Sequence, residues 1–201
     1  MAINLQKGQK VSLKKKTATG LGEILVNLNW NSKPVKKGFL ASLLGGSSGI
    51  DLDLGCLYEL KDGSKGAVQA LGNAFGSLTK PPFIALDGDD RTGASSAGEN
   101  LRINGNRVSD IKRVLIYTFI YEGVANWQQA DAVVTIQYPG AEDLVVKMDN
   151  YNTNNKMCAL ALLENVNDET FSVEKAVQFY PSHQAMDKAF HWGIRWVAGR
   201  K

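Results

Sequence analysis

Alternation of residue character at every second position constrains this chain more than any other feature. Ile24, Val26, Leu28 and Trp30 fall on one side of an extended chain, and Leu25, Asn27 and Asn29 on the other. That is the pattern of a strand with one face buried. Leu52, Leu54, Cys56, Tyr58 and Leu60 repeat it against Asp51, Asp53, Gly55 and Glu59. Residues 113–121 (Arg-Val-Leu-Ile-Tyr-Thr-Phe-Ile-Tyr) are apolar on both faces and rich in β-branched and aromatic side chains, so they belong in the middle of a sheet. Further strands are expected over 132–138, 143–148, 158–164 and 189–197.

Turn chemistry separates these runs. Lys61-Asp62-Gly63-Ser64 and Asn104-Gly105-Asn106 read as hairpin tips, and Pro139-Gly140 joins two strands. Pro81-Pro82 delivers the chain stiffly into an acidic loop. Two segments read as helix. Residues 168–179 carry early acids and apolar residues at Phe171, Val173, Ala176 and Val177, and 182–189 form a short turn with Ser182 as its cap. Many short strands joined by Gly-rich turns predict an all-β fold, an antiparallel β-sandwich of two packed sheets with one or two short helices. The Gly/Ser-rich stretch 40–49 has strand patterning on both sides, so it reads as an internal loop, and residues 1–201 as a single domain.

Composition excludes several classes. A hydrophobic fraction of 44% with 21% charged residues argues against disorder. No apolar run approaches the ~18 residues of a transmembrane helix, and no secretory leader is recognisable. Cys56 and Cys158 lie in apolar runs without metal-ligand spacing, which reads as buried free thiols in a reducing cytoplasm. The net charge of +3 is uneven, with +7 in residues 1–40 and −4 in the remainder. Lys7, Lys10, Lys14, Lys15, Lys16, Lys33, Lys36 and Lys37 offer a contact for nucleic acid or an anionic membrane. The plainer reading is an edge strand whose lysines block sheet-to-sheet pairing.

The acids are the chemical signal. Asp87, Asp89 and Asp90 fall within four residues beside glycines, and Glu99 follows. Asp51 and Asp53, two apart on a strand, lean to the same side. Calcium takes six to eight oxygen ligands, several of them carboxylate, whereas magnesium prefers one or two carboxylates with phosphate oxygens. The loop is no EF-hand, because Arg91, Thr92 and Gly98 stand where that motif needs Asp or Asn, Gly and Glu. Gly45-Gly46-Ser47-Ser48-Gly49 spells a nucleophile elbow, but a strand follows it where a helix is required. His183 and His191 lie too far apart for a helical metal pair. No nucleophile and base can be paired, so the chain reads as a non-enzyme. Phe190, Trp192, Ile194 and Trp196 share a face and read as core.

These pieces, in this order, resemble the TerD domain family of tellurium-resistance and stress-response proteins, and most of all its TerA-type branch. Leu5-Gln6-Lys7-Gly8-Gln9-Lys10-Val11-Ser12-Leu13 is similar to the family's opening strand, and Leu28-Asn29-Trp30 to the end of its next strand. Ile50-Asp51-Leu52-Asp53 is similar to its hydrophobic-D-L-D motif, and Gly88-Asp89-Asp90-Arg91-Thr92-Gly93 to its G-D-N-x-T-G loop. The resemblance implies a calcium-binding β-sandwich with Asp51, Asp53, Asp89, Asp90 and Glu99 as ligands. Asp87 joins them from local chemistry. It also implies a stress-response role through other tellurium-resistance and stress proteins. Ala94–Glu99 supplies one acid where the family has an acid-dense run, so one ion is expected and a second stays open. The alternative is a metal-independent module binding a nucleotide, a sugar or nucleic acid.

Overall fold

The alternating segments form strands in a computed structural model that describes residues 2–14, 20–31, 50–87, 98–122, 127–148 and 153–197. In chain order the strands are β1 (Ile3–Asn4), β2 (Lys10–Ser12), β3 (Glu23–Asn29), β4 (Asp51–Leu60), β5 (Lys65–Gln69), β6 (Gly76–Ser77) and β7 (Ile84–Leu86). Then come β8 (Glu99–Asn104), β9 (Ile111–Glu122), β10 (Val133–Gln137), β11 (Leu144–Lys147), β12 (Met157–Val166) and β13 (Thr170–Tyr180). Two short α-helices, α1 (Trp127–Ala130) and α2 (His183–Ala189), are present among the described residues. One sheet has the order β1-β11-β10-β3-β8-β7-β6 and the other β2-β13-β12-β9-β4-β5. All their pairings are antiparallel except the parallel β1–β11 edge. The antiparallel β-sandwich is the fold the alternation required.

Burial follows the period of two. Ile24, Val26 and Leu28 of β3 are fully buried, and they join Leu52, Leu54 and Cys56 of β4 and Ile116 and Ile120 of β9 in the core between the sheets. Each such side chain contributes about 2 kcal/mol of burial, so a register slip that exposed a strand's whole inner row would be prohibitive. β9 lies between β12 and β4 and is buried on both faces, as its doubly apolar sequence demands. Lys10 sits on the edge strand β2, where its ammonium pairs with Glu164 at 2.7 Å. Cys56 and Cys158 are buried and not in a disulfide, and burial pushes the Cys56 thiol up to about 12. No helix among the described residues is long and apolar enough to cross a membrane.

Three local readings are corrected. Residues 168–179 are not a helix but most of β13. Their early acids lie in a turn, where Asn167 and Asp168 adopt the left-handed conformation, with φ of +55° and +60°. Short polar side chains tolerate that region, and hairpin turns use it. Phe171 and Val173 then alternate into the core as strand residues. Asn104-Gly105-Asn106 is not a hairpin tip. It opens a 3-10 segment, Gly105–Asp110, that carries the chain from β8 in one sheet to β9 in the other. Residues 189–197 are not a strand, because His191 and Gly193 take positive φ and break the extended path.

Three helix and turn readings stand, and one is Pro139-Gly140, which lies in the turn joining β10 to β11. Ser182 caps α2 by accepting a hydrogen bond from the Ala185 amide, and Lys61–Ser64 links β4 to β5. The loop 40–49, with its Gly-x-Ser-x-Gly spelling, lies outside the described residues.

The acidic edge of β4 and the strap beside it

β5 pairs with only the second half of β4, from Gly55 to Glu59, so the first half runs on past its neighbour. The exposed edge this would leave is closed by Glu99, the first residue of β8. Its Oε2 accepts a hydrogen bond from the Leu54 amide at 2.6 Å, with both residues buried. Glu99 thus reaches from one sheet to the backbone of the other. Gly98 makes this approach possible: its φ is +63°, and a Cβ there would stand 2.1 Å from the Leu28 carbonyl oxygen.

Beside that bond stand the paired aspartates. Ile50, Leu52 and Leu54 point into the core between the sheets, so Asp51 and Asp53 share the opposite face of the six-stranded sheet. Asp53 is fully buried and Asp51 nearly so. Register sets Asp53 opposite Phe119 and Asp51 opposite Glu122. Like charges facing each other across a ladder repel. Glu122 escaped the sequence reading, because only the β4–β9 register brings it beside Asp51.

The remaining acids divide. Asp87 extends β7 on the outer side of the seven-stranded sheet, where both its oxygens accept from Arg102 Nε at 2.7 Å. Glu23 takes another nitrogen of the same guanidinium. The hydrogen bonds to Asp87 and Glu23 raise the Arg102 pKa above its ordinary value. Strand alternation puts Asp87 with Asn100 and Arg102, and Glu99 on the inner side with Leu101 and Ile103. Asp87 therefore belongs to Arg102 and not to the edge that holds Glu99. Asp89 and Asp90 lie outside the described residues. Among the described residues, no three His, Cys, Asp or Glu side chains converge to a metal-sized cluster. The donor chemistry at β4 is hard oxygen, which suits calcium, but the described ligands are incomplete without that loop.

The same outer face of the six-stranded sheet carries a second apolar cluster of Leu57, Leu115, Tyr117, Phe119 and Met157, covered by Met186 and Trp192. Gly55 leaves room on this face, since a Cβ there would meet the Tyr117 ring at 2.8 Å. The cover is α2 and the strap that follows it, residues 190–197. Asp187 holds the strap: its carboxylate accepts from the amides of Gly193 and Ile194 and from Trp196 Nε1, at 2.7, 2.9 and 2.7 Å. Arg113 lies 3.8 Å over the Trp192 ring and donates to the carbonyls of Phe190 and His191. Lys65 donates to the Trp192 carbonyl. The aromatic stripe in 190–197 was rightly legible as packing, but Asp187, its organiser, was not. The signal available was an acid near the end of a short helix, followed by a glycine.

Behind this anchor, Glu59 accepts from Lys112 Nζ at 2.8 Å and Arg113 Nε at 2.6 Å. Burial alone would raise the Glu59 pKa, but the two cations outweigh it and hold it below the ordinary value. A depressed carboxyl contributes stability that is present above its unfolded pKa, about 4.3, and is lost as pH falls through the folded pKa. Urea unfolding midpoints of the wild type should therefore fall below about pH 4.3. Glu59→Gln should be less stable at pH 7 and flatter through that window. Parallel pH profiles for the two proteins would exclude Glu59 as the source.

The four tryptophans are built into the packing. Each indole N–H donates inside the fold: Trp30 to the Ile50 carbonyl, Trp127 to Asn155, Trp192 to Tyr58, and Trp196 to Asp187. Of the lysines in residues 7–37, Lys7, Lys10 and Lys14 are described, and the other five lie outside the described residues.

Two twisted sheets, closed at one edge by a glutamate that bridges them beside a buried aspartate pair, define a β-sandwich with an acidic edge. The chain belongs to the TerD domain family, whose model matches residues 1–179. It is 43% identical over 191 residues to the tellurium resistance protein TerA of an Alcaligenes species, covering 95% of this chain and 56% of that protein. It is 33% identical over 131 residues to the stress response protein SCP2 of Bacillus subtilis, covering 64% of this chain and 65% of that one. The chain thus spans a little over half to about two thirds of the length of these relatives. A crystal structure of a homologue of the telluride resistance protein TerD from Streptomyces coelicolor A3(2) has a TM-score of 0.57 at 19% identity. It covers 84% of this chain and 95% of that one, a likeness of fold alone.

Proposed function

We propose that this domain is a calcium-binding, non-enzymatic module of the tellurium and stress response in the cytoplasm, acting by holding partner proteins of the same response. The observation that supports this reading is the buried Asp51/Asp53 pair at an edge closed by Glu99. Two buried carboxylates on one strand face are costly unless a cation or strong donors compensate them. The relatives named for tellurium resistance and stress response give the setting. In this reading Asp51, Asp53 and Glu99, with Asp89 and Asp90, hold one ion, and Asp87 stays with Arg102. When bound, the ion supplies positive charge and a fixed coordination shell. The chain's own residues do the rest: Glu99 locks the β4 edge to β8, and the outer face of the six-stranded sheet is drawn into order.

Thermal unfolding tests the reading. Calcium at a hundredfold excess over Kd should raise Tm by about 5–10 °C, equivalent to ~2.7 kcal/mol. Asp53→Ala combined with Asp89→Ala should abolish the rise. Superimposable melting curves in calcium and in chelator would remove the metal from the account.

A further inference from the structure

We propose that the outer face of the six-stranded sheet is a docking site for a tryptophan-bearing segment, filled here by the chain's own strap and able to take the strap of a second copy. The proposal is independent of any cation at β4. Both sheets are built before the strap begins: β13 ends at Tyr180, and no strand among the described residues follows it. A bend at Pro181-Ser182 then leads into α2. The contacts of the segment beyond that bend fall into two sets. One set lies within the segment itself. Asp187 accepts from the Gly193 and Ile194 amides and from Trp196 Nε1, and its own carbonyl accepts from the Trp192 amide at 3.0 Å. These bonds travel with the segment wherever it docks.

The other set joins the segment to the sheet, as a socket for one side chain and three carbonyls. The Trp192 side chain is fully buried, donates to the Tyr58 carbonyl at 3.0 Å and stacks with the Arg113 guanidinium. Arg113 donates to the carbonyls of Phe190 and His191, both at 3.0 Å, and Lys65 to that of Trp192 at 2.8 Å. Backbone carbonyls carry no sequence information, so the indole is what the socket selects. A desolvated Trp–Arg contact is the kind that dominates binding energy. The cations of the socket belong to the sheet. Glu59, itself buried, fixes Arg113 at 2.6 Å and stands 3.8 Å from Lys65. With the strap withdrawn, Glu59 still places both donors, and a preorganised site loses little affinity to ordering. A strap and a socket that each keep their own order are the two halves of an exchangeable contact, and a second copy supplies the identical half. The tether gives the strap a high effective concentration, so the contact within one chain dominates in dilute wild type. Exchange appears where a chain's own contact is weakened.

The test titrates a fluorescein-labelled synthetic peptide of residues 182–197 onto the full-length Trp192→Ala chain, whose socket is empty. Binding should saturate, and should be at least about tenfold tighter than to the wild type, whose own strap competes. The same peptide carrying Trp192→Ala should bind about tenfold more weakly or worse. Full-length Trp192→Phe fills the socket without the N–H bond and serves where the alanine variant does not fold. Its affinity for the peptide should fall between those of the alanine variant and the wild type. Full-length Arg113→Ala has a weakened socket and an intact strap. Mixed with full-length Trp192→Ala, it should give a heterodimer by sedimentation, whereas each variant alone stays monomeric. Peptide binding no tighter to the folded Trp192 variants than to the wild type would overturn the docking site. Tight peptide binding with a mixture that stays monomeric would overturn a second copy as its occupant.

Discussion

Asp187→Ala is expected to cost about 3–4 kcal/mol of stability. The carboxylate is buried and accepts three hydrogen bonds, two from backbone amides and one from an indole. Hydrogen bonds to a charged acceptor are each worth about 1.5–3 kcal/mol, and leaving buried donors without partners adds to the loss. The three bonds act as one unit, so their contributions do not simply sum. Release of the strap would also uncover Leu57, Leu115, Tyr117 and Phe119, the floor on which Trp192 rests. Urea unfolding followed by tryptophan fluorescence measures the cost. Asp187→Asn, which keeps one acceptor oxygen, should recover part of it. A loss under about 1 kcal/mol for the alanine variant would mean that Arg113 and Lys65 hold the strap unaided.

Glu99→Gln carries the second large effect, and it has two signs. The amide oxygen of glutamine can still accept from the Leu54 N–H, so the seam between β4 and β8 survives. Replacing a buried carboxylate by a neutral amide removes a desolvation cost, and the calcium-free protein should gain stability or hold it. Calcium affinity should fall about a hundredfold, because affinity follows the charge and rigidity of the ligand set. Stability in chelator and calcium titration of the same variant check both halves. A variant that loses stability in chelator while keeping calcium affinity would make Glu99 a structural bridge only.

The fold was legible because burial in a sandwich is written in a period of two. β3 announces itself through Ile24, Val26 and Leu28, and β9 through its doubly apolar run. What was not legible depended on contacts distant in sequence or on local periods in competition. Phe171, Val173, Ala176 and Val177 match helical spacing as well as they match a strand, and the Asn167-Asp168 turn that decides the matter carries no glycine. For 189–197, alternation suggests a strand, but the Gly193 and Ile194 amides donate to Asp187 and not to a sheet edge.

The acidic site was half visible. Asp51 and Asp53 sit on one face as their spacing requires, and Glu99 reaches from the other sheet to the Leu54 amide, the next residue along β4. Asp87, next to Asp89 in sequence, turns to the opposite side because strand alternation hands it to Arg102. Proximity in sequence misplaced it, and the strand parity of β7 and β8 decides its position. Glu122 enters by the reverse route, invisible in sequence and brought opposite Asp51 by register. Neither is surprising for a sheet protein, in which neighbours in space are seldom neighbours along the chain.

Isothermal calorimetry of the full chain with calcium tests the central claim most directly. The account predicts a saturable heat with a stoichiometry of about one ion per chain, as an eight-or-fewer-oxygen site built on five carboxylates would give. Asp53→Ala should abolish that heat, and Asp87→Ala should leave it unchanged. A folded wild-type chain that gives no heat with calcium, or a heat that Asp53→Ala leaves intact, would contradict it.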